Sequence, residues 1–204
     1  MIKIYGMLQS RALRPLWAAE EAGGDYEFHP VNMSNGEHHE EWFKSMNPCG
    51  KVPVMTDGDF TLFESPAICE YIAEQSPGSG LLPLPGTKER ALYNQWMYFT
   101  VTELEQPLWL LAKHKFALPE EYRLPDVSKT AFYEFDKAGA ILARPLESSP
   151  WLLGETFSLA DIMAGQTILW AFKYDVPVEN KTLKEYAGRL KSRPAFQKVI
   201  SKFR

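Results

Sequence analysis

Asn47-Pro48-Cys49-Gly50-Lys51-Val52-Pro53-Val54, followed after a short turn by Phe63-Glu64-Ser65-Pro66-Ala67-Ile68, is the stretch on which the reading of this chain depends. Its first part is a loop entering a strand through a Val-Pro step, and proline in a strand signal is confined to an edge, a strand start or a special backbone turn. Backbone groups beside that proline are therefore left for something else to pair. The second part is a turn into an amphipathic helix that starts at Glu64 and Ser65, where free backbone N–H groups and a positive helix end favour a carboxylate. A peptide-like anion, with a backbone to pair and a carboxylate to anchor, suits both parts.

Around this stretch, residues 1–75 change period repeatedly, as alternating strands and helices do. Residues 2–5 read as a strand and 11–22 as a helix closed by Gly23-Gly24; 26–31 read as a strand and 38–46 as a short helix. Residues 52–55 and 61–63 flank Asp57-Gly58-Asp59 as a hairpin, and 65–75 form a further helix. The order βαβαββα predicts a thioredoxin-like sheet. Then comes a run rich in helix and strand breakers, Pro77-Gly78-Ser79-Gly80-Leu81-Leu82-Pro83-Leu84-Pro85-Gly86. A linker at 79–86 accordingly divides a domain at 1–78 from an all-helical one at 87–204. The second domain reads as helices over 88–114, 126–146, 158–174, 182–191 and 194–202, with a kink or split expected at Pro107. Within it, Phe157-Ser158-Leu159-Ala160-Asp161-Ile162 is an acidic variant of the capping box with a hydrophobic staple, a structural signal.

Composition narrows the function classes. The 204 residues are 45% apolar and 24% charged, with a net charge of -4, the profile of an ordinary globular protein without an electrostatic footprint for nucleic acid or an anionic membrane. No signal peptide and no membrane-spanning run is read, so a cytoplasmic location is expected. The two cysteines, Cys49 and Cys69, form no CxxC and no Cys/His metal spacing, and a structural disulfide is not expected.

With Ile2-Lys3-Ile4-Tyr5-Gly6 and Ser10-Arg11-Ala12-Leu13-Arg14, the stretch quoted first resembles the glutathione-binding half of cytosolic glutathione transferases, and the resemblance covers essentially the whole chain. It implies a thioredoxin-like α/β domain plus an all-α domain, glutathione as cosubstrate, no metal and a homodimer. The spacing of Ser10 and Arg14 matches bacterial, theta- and delta-like members, in which an activating serine lies four residues before an arginine. A thiol of pKa about 8.5 ionises near neutrality when it receives a hydrogen bond and positive potential. A hydroxyl between the first strand and first helix supplies both, so Ser10 is the first candidate; Arg11, as a cation, and Tyr5 are the alternatives. The loop has no cysteine, only Met7, Leu8, Gln9 and Ser10, so the mixed-disulfide route of omega- and beta-like members is not expected, and Cys49 reads as a bystander.

For binding, the resemblance assigns the cysteinyl backbone of glutathione to Val52 ahead of a cis Pro53, and the glycyl carboxylate to Lys51, with His38 or His39 as further candidates. Glu64 would hold the γ-glutamyl ammonium and Ser65 its carboxylate. Glu103 would reach the γ-glutamyl group of a neighbouring subunit. Met7, Leu8, Trp109 and Leu110, with Phe116, are candidate walls for a small hydrophobic electrophile. Each also has a plainer reading as solvated turn, helix cap or core. The implied reaction is attack of the glutathione thiolate on that electrophile. A glutathione-dependent peroxidase, isomerase or dehalogenase, or a non-catalytic binding module, remains the alternative.

Overall fold

The computed structural model describes residues 1–203. Its contacts divide the chain into two compact units, Met1–Leu82 joined by the C-terminal stretch from Lys191, and Pro83–Leu190.

The first unit runs β1 (Ile2–Gly6), α1 (Leu13–Ala22), β2 (Tyr26–Pro30), α2 (Glu41–Met46), β3 (Val54–Asp57), β4 (Phe60–Phe63) and α3 (Ser65–Glu74). The sheet order is β2-β1-β3-β4. Strands β1 and β2 are parallel, Ile2 lying opposite Tyr26, and a parallel pair needs a crossover, which α1 supplies. Strands β3 and β4 form an antiparallel hairpin around Gly58, whose φ of 57° is left-handed backbone that glycine adopts without strain. Ile4, Leu16, Ala19, Met55, Ile68, Ile72 and Val199 close a core between the sheet, α1 and α3. Val31, Phe43 and Val54 form a second cluster that includes α2. This is the thioredoxin-like α/β arrangement.

Two local elements depart from their expected bounds. Helix α1 starts at Leu13 rather than at 11, because residues 7–12 make a turn over the end of β1. That turn depends on Gly6: a Cβ there would lie 2.4 Å from the Ala12 Cβ. The helix expected over 38–46 is instead a 3-10 turn, Glu37–His39, and the shorter α2, separated by Glu40 in extended conformation.

Helix α9 (Pro194–Lys202) packs with the first unit, although the sequence places it in a domain running from 87 to 204. The Phe196 ring meets Trp17 edge-on at 4.9 Å, and Arg193 binds both oxygens of Glu21 while Lys198 reaches Glu20. Glu20 and Glu21 are nearly buried on α1, and buried carboxylates require such partners.

The second unit contains α4 (Lys88–Phe99), α5 (Gln106–Ala112), α6 (Ser128–Leu146), α7 (Leu159–Lys173) and α8 (Lys181–Lys191). It is helical apart from two isolated bridges in 151–156. The expected break at Pro107 takes the form of a wide π-type turn, Thr100–Leu104, with the Glu105 N–H bonded to the Thr100 carbonyl at 2.9 Å and Pro107 in the first turn of α5. A second such turn, Lys113–Ala117, follows α5. Helix α7 is apolar almost all round and buried accordingly. Its start is as expected: Asp161 Oδ2 accepts the Ser158 N–H at 2.9 Å. Asp161 Oδ1 also accepts the Leu152 N–H at 2.9 Å and the Tyr186 hydroxyl at 2.7 Å. Burial raises the Asp161 carboxyl pKa, against the pull of these bonds. Among the described residues no helix is long and apolar enough to cross a membrane.

Candidate functional site

The loop ends of the first unit converge at the end of β1. Tyr5 pairs with Val54, so the chain before β3 runs beside Gly6, and a Cβ on Gly6 would stand 3.6 Å from the Val52 Cβ and against Ala12. The β1–α1 turn and the Val52-Pro53 step are thus neighbours. Val52-Pro53 is cis, and Val52 lies ahead of β3, outside its paired register.

Ser10 is half-buried in that turn. Its Oγ donates to the Met7 carbonyl at 2.6 Å and accepts the Ala12 N–H at 3.1 Å. The hydroxyl has one hydrogen, and in this geometry it is used within the loop. Ser10 is not the helix cap itself; Ala12 precedes α1 and Ser10 stands two positions further out. Arg11 is half-buried beside it. Of the residues on either side, Met7 is exposed, whereas Leu8 packs against the core cluster. Tyr5 belongs to the strand, its ring stacked on His29 at 4.8 Å.

Loop 47–51 is built around Asn47, a residue that sequence reasoning missed. Buried at 3% exposure, Asn47 donates from Nδ2 to the Lys51 carbonyl at 2.7 Å and accepts the Cys49 N–H on Oδ1 at 3.1 Å. A signal for it exists, since asparagine two residues ahead of a turn N–H makes an Asx turn. Lys51 is exposed. His38 and His39 flank the loop: a Cβ on Gly50 would come within 3.0 Å of the His38 carbonyl and 3.4 Å of His39 Nδ1. The two rings lie 3.8 Å apart, and burial, then the charges of His39 and Lys44, lowers the His38 pKa.

The start of α3 carries the least ordinary backbone in the unit. Glu64 has φ 75° and ψ 111°, a region that costs a non-glycine residue about 1–3 kcal/mol. Its carbonyl accepts the first helical bond, from Ile68 at 3.0 Å, and its side chain is exposed. Ser65, the next residue, is buried at 3% exposure, and its Oγ accepts from Arg14 Nη1 at 3.1 Å. Because Pro66 has no N–H, the Ser65 and Ala67 amides are what the first turn of α3 offers an anion. Arg14, read in the sequence only for its spacing, thus ties the first loop's helix to α3.

The candidates in the second unit are more scattered. Glu103 is exposed in the wide turn before α5; Trp109 and Leu110 are half-buried on α5, and Phe116 is exposed. A cavity in this unit is lined by Leu108, Leu111, Ala112 and Phe116 but not by Trp109 or Leu110, which lie on another side of α5. Of the cysteines, Cys49 is exposed, and burial pushes the Cys69 thiol up to about 12, too high for a nucleophile.

A thioredoxin-like unit with a cis-proline loop and a strained helix start, followed by a helical unit, defines a two-unit class of protein by fold, and known relatives narrow it to a family. Residues 1–74 match the family described as "Glutathione S-transferase, N-terminal domain" and residues 105–202 "Glutathione S-transferase, C-terminal domain". Glutathione S-transferase 3 of Zea mays is 29% identical over 98% of this chain and 93% of that protein. The crystal structure of glutathione transferase F7 from Populus trichocarpa superposes with a TM-score of 0.85 at 29% identity, covering 100% of both chains. A glutathione S-transferase-I structure bound with lactoylglutathione gives a TM-score of 0.78 at 29% identity, covering 98% of each chain. The chain belongs to the glutathione S-transferase family, a family of enzymes.

Proposed function

We propose that this chain is a glutathione transferase that holds glutathione along the converging loop ends of its first unit and presents the thiolate to a small hydrophobic electrophile. The observation that carries the reading is the start of α3. A buried Ser65, its hydroxyl oriented by Arg14, follows directly on a Glu64 held at positive φ. Strain of this kind persists where a ligand-facing geometry is over-determined by its surroundings. Ser65 takes the γ-glutamyl carboxylate through its hydroxyl and N–H, and Glu64 the ammonium. Val52 pairs with the cysteinyl backbone, the cis Pro53 fixing that edge, and Lys51 with His38 meets the glycyl carboxylate. Met7, Leu8, Trp109 and Leu110 are the candidates for contact with the electrophile. The organisation expected from sequence, 1–78, a linker at 79–86 and 87 onward, is kept for this division of labour, with α9 as a brace on the first unit.

Activation is assigned to Ser10. Its oxygen is already held by the Ala12 N–H. Rotation about the Cβ–Oγ bond turns the hydrogen from the Met7 carbonyl to the glutathione sulfur, whose ionised form that bond favours. The four-residue spacing to Arg14 supports a theta- or delta-like serine type, although the relatives described above with an organism are plant proteins. A second reading follows from the same geometry: with the Ser10 hydrogen engaged by Met7, Arg11 stabilises the thiolate as a cation instead.

The working assembly is a homodimer in the cytoplasm. Its support is that large apolar side chains stand exposed on α4, at Leu92 and Tyr98, and on α6, at Tyr133 and Ile141, and Glu103 is the residue offered to a neighbour's γ-glutamyl group. Calorimetric titration with glutathione, followed by a panel of aryl halide, isothiocyanate, enone and hydroperoxide substrates, tests the reading. No glutathione binding overturns it; binding without turnover leaves the non-catalytic module.

A further inference from the structure

The loop at 118–124, which follows the second wide turn, points two large apolar side chains outward, Tyr122 at 66% exposure and Leu124 at 61%. Hydrogen bonds rather than packing hold it shut. A 3-10 turn, Glu120–Tyr122, bends its middle, and the Leu118 N–H bonds back to the Lys113 carbonyl at 3.0 Å. Arg123 donates from Nε to the Leu118 carbonyl at 2.8 Å and from Nη2 to that of Phe116 at 3.3 Å. These bonds are indifferent to pH near neutrality, because arginine stays charged. The remaining bond is not: the Leu124 N–H donates to Nδ1 of His114 at 3.0 Å.

An imidazole nitrogen accepts only while it carries no proton, so His114 is neutral in this geometry, with its hydrogen on Nε2. Both nitrogens of an imidazolium are donors, so a protonated ring offers the Leu124 N–H no acceptor in either orientation. The next residue, Pro125, has no N–H that could take over. His114 lines a cavity together with residues of the loop, the start of α6 and the end of α7. The ionisable groups on its own turn are Lys113 and Lys115, and those on the loop and just after it are Glu120, Glu121, Tyr122, Arg123 and Asp126. Lys129 stands at the start of α6, and Lys173, Tyr174 and Asp175 at the end of α7; Lys115 and Tyr174 line the cavity with His114. Among the described residues none of these groups forms a hydrogen bond or ion pair with the His114 ring, so the Leu124 N–H is what competes with a proton for Nδ1.

We propose that His114 is a proton-operated latch on loop 118–124, holding it shut while neutral and releasing it when protonated. Closure and protonation exclude each other. Closure is therefore complete above the range in which histidines titrate, about pH 5–8, and is lost as pH falls through it. Because Leu124 and Pro125 form part of the cavity wall, release also opens that wall to solvent. None of the residues assigned to glutathione takes part, so the latch does not rest on that reading.

The test follows backbone amide exchange of the full chain by NMR between about pH 5 and about pH 8, with each rate divided by the intrinsic rate at that pH. Leu124 should be about tenfold or more better protected at the upper end than at the lower, while the Glu105 N–H, bonded to a carbonyl, keeps its protection throughout. Ring-nitrogen spectra should show the Nε2–H tautomer of His114 at the upper end and the imidazolium at the lower. In His114→Gln, whose side chain accepts without titrating, and in His114→Ala, the pH dependence at Leu124 should vanish, and in the alanine variant protection should be lost at both ends. Equal protection of Leu124 across the range, an Nδ1–H tautomer at the upper end, a pH dependence that survives either substitution, or loss of protection at Leu124 and Glu105 together would each overturn the proposal.

Discussion

Arg14 on α1 donates from Nη1 to the hydroxyl of Ser65, the first residue of α3, at 3.1 Å, and both side chains are buried. The bond occupies an acceptor site on the Ser65 oxygen and leaves its hydrogen to donate. A serine so oriented suits a carboxylate better than one free to rotate. Ser65→Ala should therefore weaken glutathione binding at least several-fold in calorimetric titration, since a hydrogen bond to a charged group is worth about 1.5–3 kcal/mol. The same change takes an acceptor from a buried guanidinium, so the melting temperature should fall as well. Unchanged affinity would remove the γ-glutamyl end of the ligand from this position.

Gly6 and Ala12 test how the first loop is held. With only 2.4 Å between the place a Cβ would take on Gly6 and the Ala12 Cβ, Gly6→Ala has to displace the turn that carries Ser10. Overpacking of this kind costs about 1–3 kcal/mol. Urea unfolding should show that loss, and kcat/KM should fall with it because Ser10 moves. Combining Gly6→Ala with Ala12→Gly should restore much of both, the coupling expected of two groups in direct contact. Strict additivity in the double variant would mean that the clash is relieved elsewhere.

The cap of α7 should be among the most sensitive points of the second unit. Asp161 accepts from Leu152, Ser158 and Tyr186 in a buried site, so Asp161→Ala leaves several buried donors unpaired. At about 1–3 kcal/mol for each such group, the loss should reach about 3 kcal/mol or more. Tyr186→Phe removes one donor and leaves the cap in place, so its cost should be clearly smaller. Denaturant midpoints of the two variants falling together would show that Asp161 acts mainly through Tyr186.

Glu20 sets a pH dependence on the docking of α9. Burial works against its charge, but hydrogen bonds from Lys198 and Tyr26 and the charges of Lys198 and Lys202 outweigh it, leaving the carboxyl below its ordinary pKa. A carboxyl lowered in the folded state contributes stability that is complete above the unfolded pKa, about 4.3, and is lost as pH falls through the lower folded value. Glu20→Gln should therefore be less stable than the unmodified chain near pH 6–7, and the gap should narrow toward pH 3. A gap independent of pH would mean that packing of Phe196 on Trp17, and not this carboxylate, holds the helix.

What the sequence revealed and what it hid divide along physical lines. The Val52-Pro53 step, the Ser65 helix start and the Ser158/Asp161 cap are local: each depends on a few consecutive residues whose backbone preferences act alone. The Arg14–Ser65 bond spans 51 positions and the Arg193–Glu21 pair 172, and no periodicity encodes such a partner. The assignment of α9 to the first unit is hidden for that reason. Glu64 at positive φ is hidden for another: nothing about glutamate announces left-handed backbone, and the conformation is imposed by its surroundings. On α5 the aromatic spacing draws notice to Trp109 and Leu110, but helical rotation turns Leu108, Leu111 and Ala112 toward the cavity.

The mechanism rests on Ser10 and Arg11. If the Ser10 hydroxyl turns from the Met7 carbonyl to the sulfur, the bound thiol should ionise about one to two units below its free value, because a hydrogen bond to the charged form favours that form. Ser10→Ala should keep most of the glutathione affinity, since the peptide is anchored elsewhere, but lose rate. A depressed thiol pKa helps most where the free thiol is still protonated, so the deficit should be largest near pH 6–7 and shrink toward about pH 9 as unaided ionisation catches up. The substitution also deletes two bonds inside the loop, so a melting curve and a glutathione titration must accompany the rates. Ultraviolet titration of the bound thiolate then separates the two readings. A raised thiol pKa in Ser10→Ala with little change in Arg11→Ala assigns activation to the hydroxyl; the reverse assigns it to the guanidinium. If both variants titrate like the unmodified chain, neither residue activates the thiol, and the rotation of Ser10 away from Met7 does not occur.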